Sequence, residues 1–227
     1  MDNLPKLSIC LVTYKRTEEA VKTIRSTCAN LIYPKQLRSF YIADDGSNLL
    51  HVNTLLGELA DFGENLLGNH SEKFFPDTFH CGKGWNLGLG ICHQNSDFVL
   101  FLEDDWVLEK PLDLVPYVKL LTEREDVGAV SFRILSVGAD VHTVGYEGRH
   151  YLKYLRSTQY AYSGNPMLRH ARFTQSYGTF AEDRNPGLIE LYMDDQYRLR
   201  TGPDIWRPLD ISVWGGWSHI GSHKTWE

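Results

Sequence analysis

The sequence predicts an α/β fold built on a mostly parallel sheet, and three features of its first half carry that prediction. Short apolar runs alternate with helical patterns, the runs are apolar on both faces, and two of them end in clusters of acid. Strands that are apolar on both sides need cover on both sides, which crossover helices provide. The 227 residues suit one domain in two halves, 1–107 and 108–227.

Leu7-Ser-Ile-Cys-Leu-Val12 reads as the first buried strand. A helix follows, with apolar positions at Ala20, Val21, Ile24, Cys28 and Leu31, and then a second strand at Phe40-Tyr-Ile-Ala43. A weaker helix is expected from about Leu49 to Phe62, a strand from Leu66 to Asn69, and a helix from Trp85 to His93. Phe98 to Leu102 is the fourth strand. In the second half a helix is expected to open at Pro111, in the first-turn position proline favours, and to run to about Glu123. Val127 to Leu135 reads as a strand, and Pro186 to Arg200 as a helix.

Composition narrows the function. With 42% apolar and 23% charged residues the chain is ordinary globular material, and its longest apolar run, Phe98 to Leu102, is far too short to span a bilayer. The start, MDNLPKLSICLVTYKR, has neither a basic leader nor a cleavage site, so a cytoplasmic protein is expected. A net charge of −6 argues against a surface built throughout to hold nucleic acid. Cys10, Cys28, Cys81 and Cys92 form no CxxC pair and lie in apolar stretches, as reduced buried thiols do.

In an open parallel sheet, ligands bind beyond the carboxyl ends of the strands. Asp44-Asp45-Gly46-Ser47 and Glu103-Asp104-Asp105 both fall there. The first also reads as turn chemistry. The second places three acids after an apolar strand, an arrangement that needs a cation or hydrogen-bond donors to be tolerated. Hard oxygen ligands of this kind suit Mg²⁺ or Mn²⁺ shared with a diphosphate. Gly82-Lys-Gly84-Trp-Asn-Leu-Gly88 lies too far along the chain for a dinucleotide fingerprint, and Lys83 is better used beside phosphate at a helix mouth.

Ser8 to Arg16, Ile42 to Ser47, Gly84-Trp-Asn86-Leu-Gly88 and the acid triplet together resemble the donor half of inverting, family-2-like GT-A glycosyltransferases. The spelling Leu-Glu103-Asp104-Asp105-Trp, with Met193-Asp194-Asp195-Gln-Tyr-Arg198 and the closing Gly216-Trp-Ser218-His219, is similar to the N-acetylglucosaminyltransferase I enzymes. The resemblance implies a GT-A, Rossmann-like sheet whose residues 1–107 bind the donor and whose residues 108–227 bind the acceptor. It implies donor contacts from Val12, Tyr14, Arg16, Asp45, Lys83 and Asp104, with Tyr14 and Asp45 flanking the base. Asp105 would bind the metal, joined by His219, and the Asp194-Asp195 pair would bear the catalytic base. The start departs from the family pattern: Lys15 stands where Asn is usual, and the basic residue of the Asn-x-Gly block is displaced to Lys83.

Helical spacing gives its own argument for the base. Leu188, Leu191, Tyr192, Asp195 and Leu199 fall on one face, so Asp195 is expected to interrupt an inward apolar stripe while Asp194 points about 100° away. A desolvated carboxylate there suits removal of an acceptor proton. An ion pair of Asp195 with Arg198 is the structural alternative, and Glu182 and Asp183 are reserve bases. His219 and His223 could instead be packed or surface residues. Between Gly148 and Ala181 no Asp or Glu occurs among several arginines and aromatics. That segment reads as a lid over the leaving diphosphate, an acceptor platform, or a solvated loop.

The expected function is a Mn²⁺- or Mg²⁺-dependent, inverting transfer of a hexosyl or N-acetylhexosaminyl group. The donor is a nucleoside-diphosphate sugar, with UDP favoured by the resemblance. The acceptor could be a glycan, a lipid-linked glycan or a modified nucleic acid. A sugar-nucleotide pyrophosphorylase and a non-catalytic carbohydrate- or nucleic-acid-binding protein are the alternatives. The first lacks its glycine-rich loop after the first strand.

Overall fold

In a computed structural model the chain is described over residues 4–72, 81–132, 140–162, 166–210 and 216–221. His223 lies outside these residues, as does the end of the strand expected to reach Leu135. The strands are β1 (Leu7–Thr13), β2 (Leu31–Ile32), β3 (Arg38–Asp44), β4 (Asn65–Ser71), β5 (Phe98–Glu103), β6 (Trp106–Leu108) and β7 (Leu112–Asp113). They continue with β8 (Val127–Ser131), β9 (Val141–Tyr146), β10 (Arg149–Tyr154), β11 (Met167–His170), β12 (Asp204–Pro208) and β13 (Trp217–His219). The helices are α1 (Thr17–Asn30), α2 (Leu49–Asp61), α3 (Gly82–Asn95), α4 (Val115–Glu123), α5 (Ala171–Tyr177) and α6 (Pro186–Leu199).

One sheet of order β4-β3-β1-β5-β11-β8-β12-β10-β9 crosses the molecule. β4, β3, β1, β5, β8, β12 and β9 run one way, and only β11 and β10 run against them. β1 is fully buried along its length, as a central strand covered on both faces must be. One apolar cluster joins α1, α2 and α4 to the sheet, and a second joins α3, α5 and α6 to its other face. α3 approaches closely because of Gly88: a Cβ there would come within 3.0 Å of the Ala43 Cβ and 3.1 Å of the Cys10 Sγ. All four cysteines are free and buried. No described helix is long and apolar enough to cross a membrane.

Two expectations need correction. The helix expected at Pro111 begins instead at Val115, with Pro116 in its first turn. Leu112 and Asp113 are drawn into pairing with Leu31 and Ile32, and the Val115 amide donates to Asp113 Oδ1 at 3.0 Å. The acid-free segment is mostly core rather than lid. Met167–His170 forms the antiparallel strand between β5 and β8, and Tyr151, Tyr154, Tyr162, Phe173 and Tyr177 are buried. Arg156, Arg169 and Arg172 are engaged by neighbouring groups. Arg156 donates to the carbonyls of Tyr197 and Gly202 and to Tyr177 Oη, and Arg172 donates to the carbonyls of Arg124 and Val127. Arg169 is buried over the Tyr162, Phe173 and Phe180 rings. Cation–π stabilisation takes the place of an acid partner there.

Candidate active site

Register brings the acids together. In the parallel sheet Thr13 lies opposite Asp44 and Val12 opposite Glu103, so the carboxyl ends of β1, β3 and β5 finish at one level. Asp104 and Asp105 form the turn between β5 and β6, and both are almost wholly buried. Asp104 is fixed from below: Thr13 Oγ1 donates to its Oδ2 at 2.8 Å, the Tyr14 amide donates to the same oxygen at 3.2 Å, and Thr23 Oγ1 donates to its carbonyl at 2.7 Å.

Arg16, just before α1, spans the two aspartates. Its Nη2 lies 2.5 Å from Asp104 Oδ1 and its Nη1 2.5 Å from Asp105 Oδ2. Burial, the largest single influence, lowers the Arg16 pKa, but Asp104 and Asp105 more than reverse it and the guanidinium is held above its ordinary value. Burial pushes the Asp104 carboxyl up to about 7, against the pull of Arg16. Desolvation thus outweighs the ion pair at that residue.

The closing segment reaches this corner through pairing. β13 runs antiparallel to β6, which sets His219 opposite Trp106 and hence beside Asp105. His219 Nε2 is 3.1 Å from Asp105 Oδ2, and the Ile220 amide donates to the Asp105 carbonyl at 2.8 Å. Asp105 Oδ1 is buried with no hydrogen-bond partner among the described residues. Among those residues no three acidic, histidine or cysteine ligands converge on one point. Asp105 and His219 nevertheless fit a Mg²⁺- or Mn²⁺-type ion, which commonly takes one or two protein ligands and completes its shell with phosphate and water.

Beside the triplet the first acid cluster does two things. Asp44 is a turn-former, accepting from the Ser47 amide at 2.8 Å and from the hydroxyls of Ser47 and Ser71 at 2.5 Å each. Asp45 is also buried, its amide donating to the Thr13 carbonyl at 3.0 Å. Tyr14 is buried beneath the Lys15 ammonium, which sits 4.7 Å over its ring. A cleft of about 540 Å³ opens here, lined by Lys15, Thr17, Gly46, Ser47, Asn48 and His51. Burial lowers the His51 pKa against the opposing effect of Asp44, and its ring lies within hydrogen-bond distance of Thr13 and Thr17. The Val12 side chain, by contrast, packs in the apolar core, leaving only its backbone near this wall.

Lys83 is exposed in the first turn of α3. Asn86 clasps the 180–182 segment over that helix mouth: its Nδ2 donates to the Phe180 carbonyl at 3.0 Å and to Glu182 Oε1 at 3.1 Å, while the Phe180 amide donates back to its Oδ1 at 2.8 Å. Asp183 is exposed, 3.7 Å from Arg184.

The orientation expected for α6 is overturned. Its buried face is Ile189, Met193, Asp194 and Tyr197, whereas Leu188, Leu191 and Leu199 are exposed. Asp195 points to solvent, 3.8 Å from Arg198, and Asp194 points in. Asp194 accepts from the Tyr160 amide at 2.9 Å and the Tyr162 amide at 3.1 Å. On α6, Glu190 lies near enough for its charge to bear on Glu103. Burial pushes Glu103 well above the usual carboxylate range, and Glu190 is the strongest of the negative charges that add to it. Glu190, Thr23, His51 and Gly221 escaped the sequence reading, since none stands in a motif, and Thr13 lies inside the Ser8–Arg16 block without a role assigned to it there.

No family model matches the chain, and no curated protein matches it in sequence. Among solved structures it is similar to S. aureus TarS, at a TM-score of 0.62 and 15% identity over 89% of this chain and 36% of that one. It is similar also to the mannosyltransferase PcManGT from Pyrobaculum calidifontis in complex with GDP-Man and Mn²⁺ (TM-score 0.63, 12% identity, 92% of this chain and 56% of that one). GalNAc-T7 with UDP, GalNAc and Mn²⁺ overlays all of this chain on 46% of its own, at a TM-score of 0.67 and 11% identity. The fold is that of the GT-A glycosyltransferases. At these identities the likeness is one of fold, and the chain spans about half or less of the length of TarS and GalNAc-T7. In GT-A terms the acidic corner lies where the β1, β3 and β5 ends meet, and α3 and α6 approach it from one face of the sheet.

Proposed function

We propose that this chain is a glycosyltransferase that takes a sugar from a nucleoside diphosphate, with a divalent ion and inversion at the anomeric carbon. The observation that carries the reading is the buried Asp104-Asp105 turn, faced by Arg16 and His219 at the shared carboxyl end of β1, β3 and β5. It is supported by the likeness to S. aureus TarS in complex with UDP or UDP-GlcNAc and to PcManGT in complex with GDP-Man and Mn²⁺. Asp105 and His219 would hold the ion, which when bound would neutralise charge growing on the leaving diphosphate.

The chain's own residues do the rest. Asp104, immobilised by Thr13 and the Tyr14 amide, receives the ribose side of the donor. The Lys15–His51 cleft takes the base, with Tyr14 and Asp45 as its neighbours. Lys83, in the first turn of α3, adds positive charge toward the phosphates. For the base that removes the acceptor proton we assign Glu190, the half-buried α6 carboxylate whose charge helps to raise the Glu103 pKa, in place of the exposed Asp195. The sugar is hexosyl or N-acetylhexosaminyl, and uracil is the favoured nucleobase.

The test is donor hydrolysis over a panel of nucleotide sugars with and without Mn²⁺. Metal-dependent release of one nucleoside diphosphate is expected, and Asp105→Asn abolishes it. In transfer assays Glu190→Gln is expected to lower kcat by about 10² or more with donor affinity unchanged, whereas Asp195→Asn stays near wild type. The reverse pattern would return the base to Asp195. No metal-dependent nucleotide binding at all would remove the enzymatic reading.

A further inference from the structure

Arg16 occupies the position of charge that a divalent ion would also claim. Its guanidinium is 2.5 Å from an oxygen of each aspartate, and Asp105 Oδ2 is already shared with His219 at 3.1 Å. A guanidinium in contact with that carboxylate repels an incoming cation strongly, because two positive charges a few ångströms apart in a partly dry site are poorly screened. Withdrawing Arg16 without replacement is no better, since it leaves two buried carboxylates uncompensated.

The two aspartates are held unequally. Asp104 is pinned by Thr13, Tyr14 and Thr23 as well as by Arg16. Among the described residues the Asp105 side chain is held by Arg16 and His219 alone, and its other oxygen is buried without a partner. The Arg16 backbone is fixed, its carbonyl accepting from the Ala20 amide at 2.9 Å, while the side chain retains 18% of its surface exposed. The head group is therefore the part free to turn, and Asp105 is the partner it can surrender. A planar guanidinium also matches a phosphate with two parallel hydrogen bonds.

We propose that Arg16 is a two-position counter-cation. In the ligand-free chain it neutralises Asp104 and Asp105 together. On donor binding it releases Asp105 to the divalent ion and turns to the donor's diphosphate, so that ion and nucleotide enter as a coupled pair. The inference rests on the nucleotide-sugar reading above and adds to it an order of binding: ion alone binds weakly, and ion with diphosphate binds well.

The experiment follows free Mn²⁺ by electron paramagnetic resonance, with UDP and GDP as the added diphosphates. Wild type is expected to bind Mn²⁺ alone weakly and at least about tenfold more tightly with the cognate nucleotide. Arg16→Gln is expected to bind Mn²⁺ alone about tenfold more tightly than wild type and to lose most of the nucleotide's enhancement. Arg16→Lys keeps a charge but cannot bridge both carboxylates, and it should fall between the two, which serves if the glutamine variant fails to fold. The proposal is overturned if folded Arg16 variants bind Mn²⁺ alone no better than wild type, or if wild type binds the ion equally well with and without nucleotide. Failure of the underlying reading looks different: no protein, wild type or variant, would bind Mn²⁺ or respond to a nucleoside diphosphate.

Discussion

Gly221 lies directly against Asp105: a Cβ built on it would stand 2.2 Å from Asp105 Oδ2 and 3.1 Å from Arg16 Nη1. The chain after β13 therefore closes the acidic corner with backbone, leaving no room for any side chain. Gly221→Ala should push the carboxylate off its two partners. Mn²⁺-dependent nucleotide binding is expected to weaken by about tenfold or more, with the circular dichroism spectrum unchanged. Calorimetric titration with UDP and GDP checks this, and wild-type affinity would mean that the corner is looser than the packing implies.

Asp194 anchors the 160–162 segment. Its two oxygens accept from the amides of Tyr160 and Tyr162, and the residue is buried. Hydrogen bonds to a charged acceptor contribute about 1.5–3 kcal/mol. Asp194→Ala is expected to lower unfolding free energy by at least that much in urea titrations. An inactive variant of wild-type stability would instead point to a role in the chemistry.

Arg38 and Glu64 tie the start of β3 to the start of β4, at the opposite end of the strand from Asp44. Arg38 Nε donates to Glu64 Oε2 at 2.7 Å, Nη2 pairs with Oε1, and Nη1 donates to the Leu31 carbonyl at 2.8 Å. Arg38 is 1% exposed, so removing its partner strands a buried charge. Glu64→Ala is expected to cost about 3–5 kcal/mol, whereas Glu58→Ala, which breaks the exposed pair with Arg25, should cost no more than about 1 kcal/mol. Equal melting shifts for the two would contradict the burial argument.

His93 and His170 give the fold a sensitivity to mild acid. Burial lowers both pKa values to about 4, with Arg169 near the first and Arg172 near the second adding to the effect. The unfolded chain, with imidazoles near 6.5, takes up more protons between pH 6.5 and 4, so this contribution to stability is present above pH 6.5 and is lost as pH falls. Asp104, raised to about 7, acts with the opposite sign, its contribution declining as pH rises from about 4 to 7. A His93→Gln, His170→Asn variant isolates the histidines, and the asparagine retains an acceptor for the Arg172 amide that His170 Nδ1 now serves. Its urea stability is expected to fall less between pH 7 and 5 than wild type's, and identical losses would count against the histidine account.

Much of the first half was legible because its signals are local. Burial on both faces of Leu7–Thr13 and Phe98–Glu103 follows from unbroken apolar runs, and acids placed straight after them fall at the strands' ends. α6 shows where local signals fail. Leu188, Leu191 and Leu199 make one apolar face and Ile189, Met193 and Tyr197 make another, so spacing alone offers two orientations. Packing chose the second, and with it exchanged the orientations expected for Asp194 and Asp195. β11 was hidden for a similar reason. Met167–His170 is a short piece of a basic, aromatic stretch, and it becomes a strand only by inserting between β5 and β8.

What can be read from the sequence is the order of strands and helices in the first half and the placing of two acid clusters at strand ends, because both rest on patterns a few residues long. Which groups meet those acids is settled by long-range pairing. Arg16 and Asp105 are separated by 89 residues, and His219 and Asp105 by 114. Contacts of that kind depend on sheet register and on the pairing of β13 with β6, which no local pattern encodes.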